Sequence, residues 1–275
     1  MNSPYDFSGK VVFVAGGTSG INLGVAHGFA RAQAKLVVMS RSQDKVDAAV
    51  AELTGYGGDV IGFAGDVRDY AVVEAAFKET ATRLGKIDVL ISGAAGNFPA
   101  PALGISPNGF KSVVDIDLLG TFHVVRAAFP YLNKPGASIV NITAPQAWIP
   151  MEFQMHVCAA KAGVDMVTRV GAMEWGAAGV RINSVAPGPI EGTEGMKRLA
   201  PNDVTRELVK ETVPLGRFGT PDDIAQACLW LASPMAAYVT GVVLPVDGGW
   251  SLGGVSASGA GMKKAFMATG AAPKG

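Results

Sequence analysis

The stretch Val11-Val12-Phe13-Val14-Ala15-Gly16-Gly17-Thr18-Ser19-Gly20-Ile21-Asn22 decides the fold. Its first five residues are β-branched, aromatic or small and carry no charge, the composition of a strand buried on both faces. A Gly-rich turn follows, and Leu23 to Ala32 reads as a helix. Glycine lets the backbone of such a turn approach an anion closely. The helix beyond it offers unpaired N–H groups and a partial positive charge. Placed between a strand and a helix, the turn is expected to cradle a pyrophosphate.

The same alternation continues outward. Strands are expected at Lys35–Met39, Asp59–Ala64, Asp88–Ser92, Ser138–Ile142, Val180–Val185 and Val242–Val246. Helices are expected at Asp44–Leu53, Tyr70–Leu84, Asn108–Leu132, His156–Gly176 and Asp222–Leu231. Strand and helix in turn imply a parallel sheet with right-handed crossovers. The fold expected is a single-domain α/β Rossmann fold, a doubly wound parallel sheet of about seven strands with helices on both faces. The domain is expected over 1–252, and the Gly/Ala-rich stretch 253–275 reads as a mobile tail or an arm that packs on another subunit.

Composition narrows the class of function. The chain has 275 residues, 49% hydrophobic and 17% charged, enough to build one large core. A formal net charge of +0 and the lack of a basic stripe argue against nucleic acid. No run reaches the roughly 18 apolar residues of a membrane span, and the polar start Met1–Lys10 does not resemble a secretory signal. Cys158 and Cys228 fall in segments that read as buried helix and are expected to be reduced structural thiols. His27 and His123 have no second ligand at metal spacing, so no metal is expected.

The end of the second strand selects the nucleotide. An NAD site commonly has Asp or Glu about 20 residues beyond the Gly-rich turn, to hold a ribose 2′-hydroxyl. This chain has Ser40-Arg41-Ser42 there. A guanidinium suits a 2′-phosphate, so NADP is the expected cofactor.

The Gly-rich turn, Gly65-Asp66-Val67, Gly93-Ala94-Ala95-Gly96, Lys161, Pro187-Gly188-Pro189-Ile190, Val239-Thr240-Gly241 and Val246-Asp247-Gly248-Gly249 together resemble the short-chain dehydrogenase/reductase family. The resemblance runs from about Gly9 to Trp250. It implies that Gly16, Thr18, Ser19, Gly20, Ile21, Arg41, Asp66, Val67, Ala94, Ala95, Gly96, Lys161, Pro187, Gly188 and Ile190 bind the cofactor. It also implies a homotetramer, for which the two long helices, apolar all round, would supply the buried surface. One departure is Asn22 at the family's third glycine, from which a slightly altered pyrophosphate contact is expected.

The catalytic positions depart further. The family pattern is Tyr-x-x-x-Lys with an upstream Ser and an Asn on the preceding helix. Here those positions are Val157, Lys161, Ala144 and Asp117. Valine and alanine offer no proton, which disfavours ordinary ketone reduction. Ala94-Ala95-Gly96-Asn97-Phe98, Asp115-Ile116-Asp117, Asn141-Ile142-Thr143-Ala144, Gln154-Met155-His156, Glu174-Trp175-Gly176 and the run from Pro187 to Gly195 resemble the 2,4-dienoyl-CoA reductases, especially the peroxisomal type.

That resemblance implies reduction of a conjugated acyl-CoA thioester by NADPH. Asp117 and Lys161 are the expected catalytic pair, holding a water that protonates carbon. Asn97, Phe98, Gln154 and His156 are expected at the substrate, and Lys197 and Arg198 are candidates for the CoA phosphates. Another NADP-dependent reductase of the family, or a non-catalytic NADP sensor, remains open. The chain ends Ala272-Pro273-Lys274-Gly275, without a peroxisomal tripeptide, so a cytoplasmic enzyme is expected.

Overall fold

The computed structural model describes residues 5–200 and 202–268. Seven strands form one sheet: β1 (Val11–Ala15), β2 (Lys35–Ser40), β3 (Val60–Ala64), β4 (Val89–Ser92), β5 (Ser138–Ile142), β6 (Arg181–Pro187) and β7 (Val243–Val246). Their order is β3-β2-β1-β4-β5-β6-β7 and every pairing is parallel. The doubly wound Rossmann architecture follows directly.

Side chains alternate across the sheet. Val12, Val14, Leu36, Val38, Ile91 and Val140 face one layer, built with α1 (Gly20–Arg31), α2 (Gln43–Thr54) and α9 (Pro221–Ala232). Val11, Phe13, Val37, Met39, Leu90 and Ile139 face the other, built with α3 (Tyr70–Arg83), α5 (Gly120–Ala128) and α6 (Met155–Trp175). Because both faces are covered, β1, β4 and β5 are buried along their whole length.

Strand order reverses between β1 and β4, and a doubly wound sheet opens its binding crevice at that point. Asn22 spans it. Its Nδ2 donates to the Gly93 carbonyl at 2.7 Å, tying the first turn of α1 to the end of β4. The side chain therefore serves as a strut within the fold at the edge of the first cavity, where the altered pyrophosphate contact was expected.

Three sequence expectations need correction. The helix expected over Asn108–Leu132 is broken: α4 (Pro107–Val114), a π-helical turn (Asp115–Leu119), α5, then a 3-10 turn (Phe129–Tyr131). A π turn keeps the chain helical while inserting one residue, so the chain stays continuous where the reading placed one helix. Two helices went unread: α7 (Glu194–Leu199) and α8 (Asp203–Glu211), whose Asn202 and Thr205 form a capping box. Lastly, much of the expected tail is α10 (Gly254–Ala268). Val255 is fully buried with Met151, Val213 and Trp250, so this segment packs on its own domain. Residues 269–275 lie outside the described residues. Among the described residues no helix is long and apolar enough to cross a membrane.

Candidate active site

Two contiguous cavities open at the carboxyl ends of the strands. The first, ≈ 290 Å³, is lined by Gly16, Thr18, Ser19 and Ile21 from the first turn, Arg41 after β2, Asp66 and Val67 after β3, and Ala94 and Ala95 after β4. Close approach requires glycine at two of these places. Gly16 has φ +81°, and a Cβ there would stand 2.9 Å from the Ala94 backbone. A Cβ on Gly93 would overlap the Asn22 carboxamide. Gly20, φ +54°, opens α1 and leaves the first-turn N–H groups free of any side-chain cap from Ser19. This is an anion cradle at a helix N-terminus.

At the far end of the first cavity Arg41 is joined by Lys45, which sequence reading missed. Arg41 follows β2 and Lys45 lies in the first turn of α2, and both line the same cavity. Asp66 accepts from Arg68 Nε at 3.0 and 3.1 Å, and that guanidinium holds its carboxyl below the usual range.

The second cavity, ≈ 240 Å³, shares Ile21, Asn22, Gly93, Ala95 and Thr193 with the first. Asp117, Lys161, Pro187, Gly188 and Ile190 line it. Asp117 sits in the π turn, which rotates it inward until it is 1% exposed. Its Oδ1 accepts from the Gly96 N–H at 2.7 Å, and its Oδ2 stands 3.3 Å from Lys161 Nζ. Lys161 also donates to the Ile142 carbonyl at 3.1 Å. An ammonium has three donors, so one remains for the cavity.

Two turns further along α6, a buried polar clamp ties the helix to the sheet. Asn141 Nδ2 of β5 donates to Thr168 Oγ1 at 2.8 Å, and Thr168 shares a hydrogen bond with Ser184 of β6 at 2.7 Å. Val157 and Ala144 line the same cavity and offer no proton.

The expected substrate residues divide. Asn97 and Gln154 line the cavity. Phe98 and His156 do not: the two rings meet edge to face at 4.5 Å, Phe98 packs against Val113, Val157 and Ala160, and His156 is wholly enclosed. Burial pushes the His156 pKa below its ordinary value, so the ring is a neutral packing element. Lys197 pairs with Glu194 at 2.8 Å on the surface, while Arg198 reaches back to the Asn97 carbonyl and lines the cavity. Thr193, Gln146, Met151, Met196 and Trp250 complete the wall and were missed. Only Thr193 carried a signal, through its place just beyond Pro187–Ile190.

A family model described as enoyl-(acyl carrier protein) reductase matches residues 15–251. A solved structure of an NADPH-bound short chain oxidoreductase from Pseudomonas aeruginosa PAO1, described as containing an atypical catalytic center, is 30% identical. Its TM-score is 0.84, with 90% of this chain and 98% of that chain covered. The chain belongs to the short-chain dehydrogenase/reductase family.

Within the family, a peroxisomal 2,4-dienoyl-CoA reductase of Arabidopsis thaliana is 40% identical, with 90% of this chain and 88% of that one covered. Its counterpart in Rattus norvegicus is 45% identical, with 87% of this chain and 83% of that one covered. These names overturn the cytoplasmic expectation, since both relatives are peroxisomal. As a short-chain dehydrogenase/reductase this chain is an oxidoreductase of a family that uses a nicotinamide cofactor, and the Gly16–Ala94 approach and the α1 N-terminus fit its pyrophosphate.

Proposed function

We propose that this enzyme reduces 2,4-dienoyl-CoA thioesters to enoyl-CoA with NADPH, an auxiliary step in the oxidation of unsaturated fatty acids. The observation that carries the reading is the buried Asp117–Lys161 pair in a cavity where Val157 and Ala144 stand in place of a proton donor. Relatives of that name at 40% and 45% identity support it.

When bound, NADPH supplies a hydride. Gly16, Thr18, Ser19, Gly20 and Ile21 would hold its pyrophosphate, and Arg41 with Lys45 would hold the 2′-phosphate. Asp66 and Val67 would contact the adenine, and Ala94, Ala95 and Gly96 the cofactor between its two rings. Pro187, Gly188 and Ile190 would contact the nicotinamide, and Lys161 would bind the ribose.

A conjugated dienoyl thioester accepts hydride at its far end, and charge moves to the thioester oxygen. Asn97 and Gln154 are placed to contact that end of the substrate. The dienolate then takes a proton at carbon, so no acid is needed at the oxygen. Asp117 and Lys161 hold the water that delivers it, and bulk solvent replaces that proton.

Exposed apolar residues on α5 and α6, Phe122 at 45%, Met166 at 54% and Met173 at 84%, support the homotetramer. Light scattering of the purified chain tests that assembly.

The deciding assay is loss of NADPH absorbance with a short 2,4-dienoyl-CoA, with NADH and a 2-enoyl-CoA as controls. Loss with NADPH and the dienoyl thioester alone is expected. No loss despite tight NADPH binding would move the reading to another substrate or to a sensor.

A further inference from the structure

α10 lies wholly beyond the 15–251 stretch that the family model matches, yet it supports the wall of the second cavity. The contact runs through Trp250, which lines the cavity and is only 2% exposed. Its indole Nε1 donates to Thr212 Oγ1 at 3.1 Å and to Ser258 Oγ of α10 at 3.3 Å, a shared bond with both hydroxyls 3.4 Å apart. One turn earlier on α10, Val255 is fully buried in the cluster that holds Met151, a second cavity residue.

Glycine lets the helix come this close. A Cβ on Gly254 would overlap Trp250 and the Thr212 carbonyl, so only glycine fits where α10 begins. An indole has one N–H and can be held in one orientation only where acceptors converge on it. Here one of those acceptors comes from α10.

We infer that α10 determines which acyl chains this enzyme accepts, by fixing Trp250 through Ser258 and Met151 through Val255. The inference rests on the reading of the site as one for acyl-CoA thioesters. Ser258 is a positioning residue: it touches the indole, and the indole meets the substrate. A well-packed wall discriminates chains that differ by single methylenes by roughly 10- to 200-fold, and a wall freed to move discriminates less.

The experiment compares kcat/KM for 2,4-decadienoyl-CoA and 2,4-hexadienoyl-CoA in the full chain and in Ser258→Ala, Trp250→Phe and the double variant. Ser258→Ala is expected to raise the long-to-short ratio about threefold, with NADPH Kd and kcat on the short substrate unchanged. Trp250→Phe, which removes the N–H, is expected to shift the long-to-short ratio in the same direction, and adding Ser258→Ala to it should change that ratio no further. A ratio that stays fixed in both single variants, or a Ser258→Ala effect that persists in the Trp250→Phe background, overturns the inference while leaving the proposed reaction standing. If the native chain reduces no dienoyl thioester, the proposed reaction fails by itself. The same ratio is then read from calorimetric binding of decanoyl-CoA and hexanoyl-CoA, and binding of neither overturns the inference as well.

Discussion

Lys161 Nζ stands 3.3 Å from Asp117 Oδ2 where the two side chains are 7% and 2% exposed. Enclosing two charges so thoroughly costs several kcal/mol of hydration per ion, and their attraction does little more than offset it. Stability alone is a weak reason for such a pair. A cavity that has lost its other proton donors is a stronger one.

Asp117→Asn keeps an acceptor for the Gly96 N–H and removes the charge. Turnover of a dienoyl-CoA is expected to fall by about 10²-fold or more, while NADPH affinity stays within about threefold. Asp117→Ala should do worse, because it strands a buried ammonium at a cost of about 3–5 kcal/mol. Steady-state kinetics beside a fluorescence titration of NADPH separates the two effects. Full turnover in Asp117→Asn would end the catalytic role.

Arg41 and Lys45 share the rim of the first cavity. A hydrogen bond to a charged group contributes about 1.5–3 kcal/mol, so Arg41→Ala is expected to raise KM for NADPH by roughly ten- to a hundredfold and leave KM for NADH nearly unchanged. Lys45→Ala should show a smaller effect of the same sign. Equal losses with both nucleotides would mean that neither residue reads the 2′-phosphate.

Burial raises the pKa of Asp165 on α6, against opposing pulls from Thr143, Arg169 and Lys161. A folded-state pKa above the unfolded one favours the fold while the group is protonated. That contribution is complete below the unfolded value of about 3.9 and is lost as pH rises through the folded value. Asp165→Asn cannot ionise. Urea unfolding is therefore expected to show the variant gaining on the native chain as pH rises from about 4, then levelling off. A pH-independent difference would place the charge cost elsewhere.

Gly93→Ala would drive a Cβ into the Asn22 carboxamide and break its 2.7 Å bond to the Gly93 carbonyl. Loss of NADPH binding by at least about tenfold is expected, with a lower unfolding midpoint, because the strut joins both sides of the cofactor crevice. Asn22→Gly in the same background should recover part of the binding. Failure to recover any would locate the damage away from Asn22.

Burial pushes the Cys228 thiol up to about 12 and also raises that of Cys158. Reaction with a disulfide reagent at neutral pH is expected to leave Cys228 unmodified until the chain unfolds, with Cys158 reacting slowly. Mass spectrometry before and after denaturant reads both directly. Rapid labelling of Cys228 in the folded protein would contradict the packing around α9.

The fold was legible because its determinants are local. An uncharged run ending in a Gly-rich turn, repeated as strand and helix along the chain, has few arrangements other than a doubly wound sheet. The positions proposed for the cofactor could be named from the family pattern, since most of them sit where a strand meets its turn. Asp117 and Lys161 could be named from their spacing within the family pattern.

Other features depend on contacts between distant segments, and periodicity carries no record of these. The π turn that holds Asp117 buried adds one residue to a helix, which no local motif in the sequence marks. Phe98 is expected at the substrate from the family resemblance and His156 from its place one residue before the Tyr position, yet the two rings pack edge to face with each other. Lys45, Thr193 and Trp250 enter the site from separate elements, and α10 reaches it only by packing beneath an indole. Sequence by itself determined the parallel, doubly wound sheet and the residue types available at its carboxyl edge, because those follow from local propensity and handedness. Tertiary structure alone decided which side chains face the cavity, because that depends on how distant helices come to rest against one another.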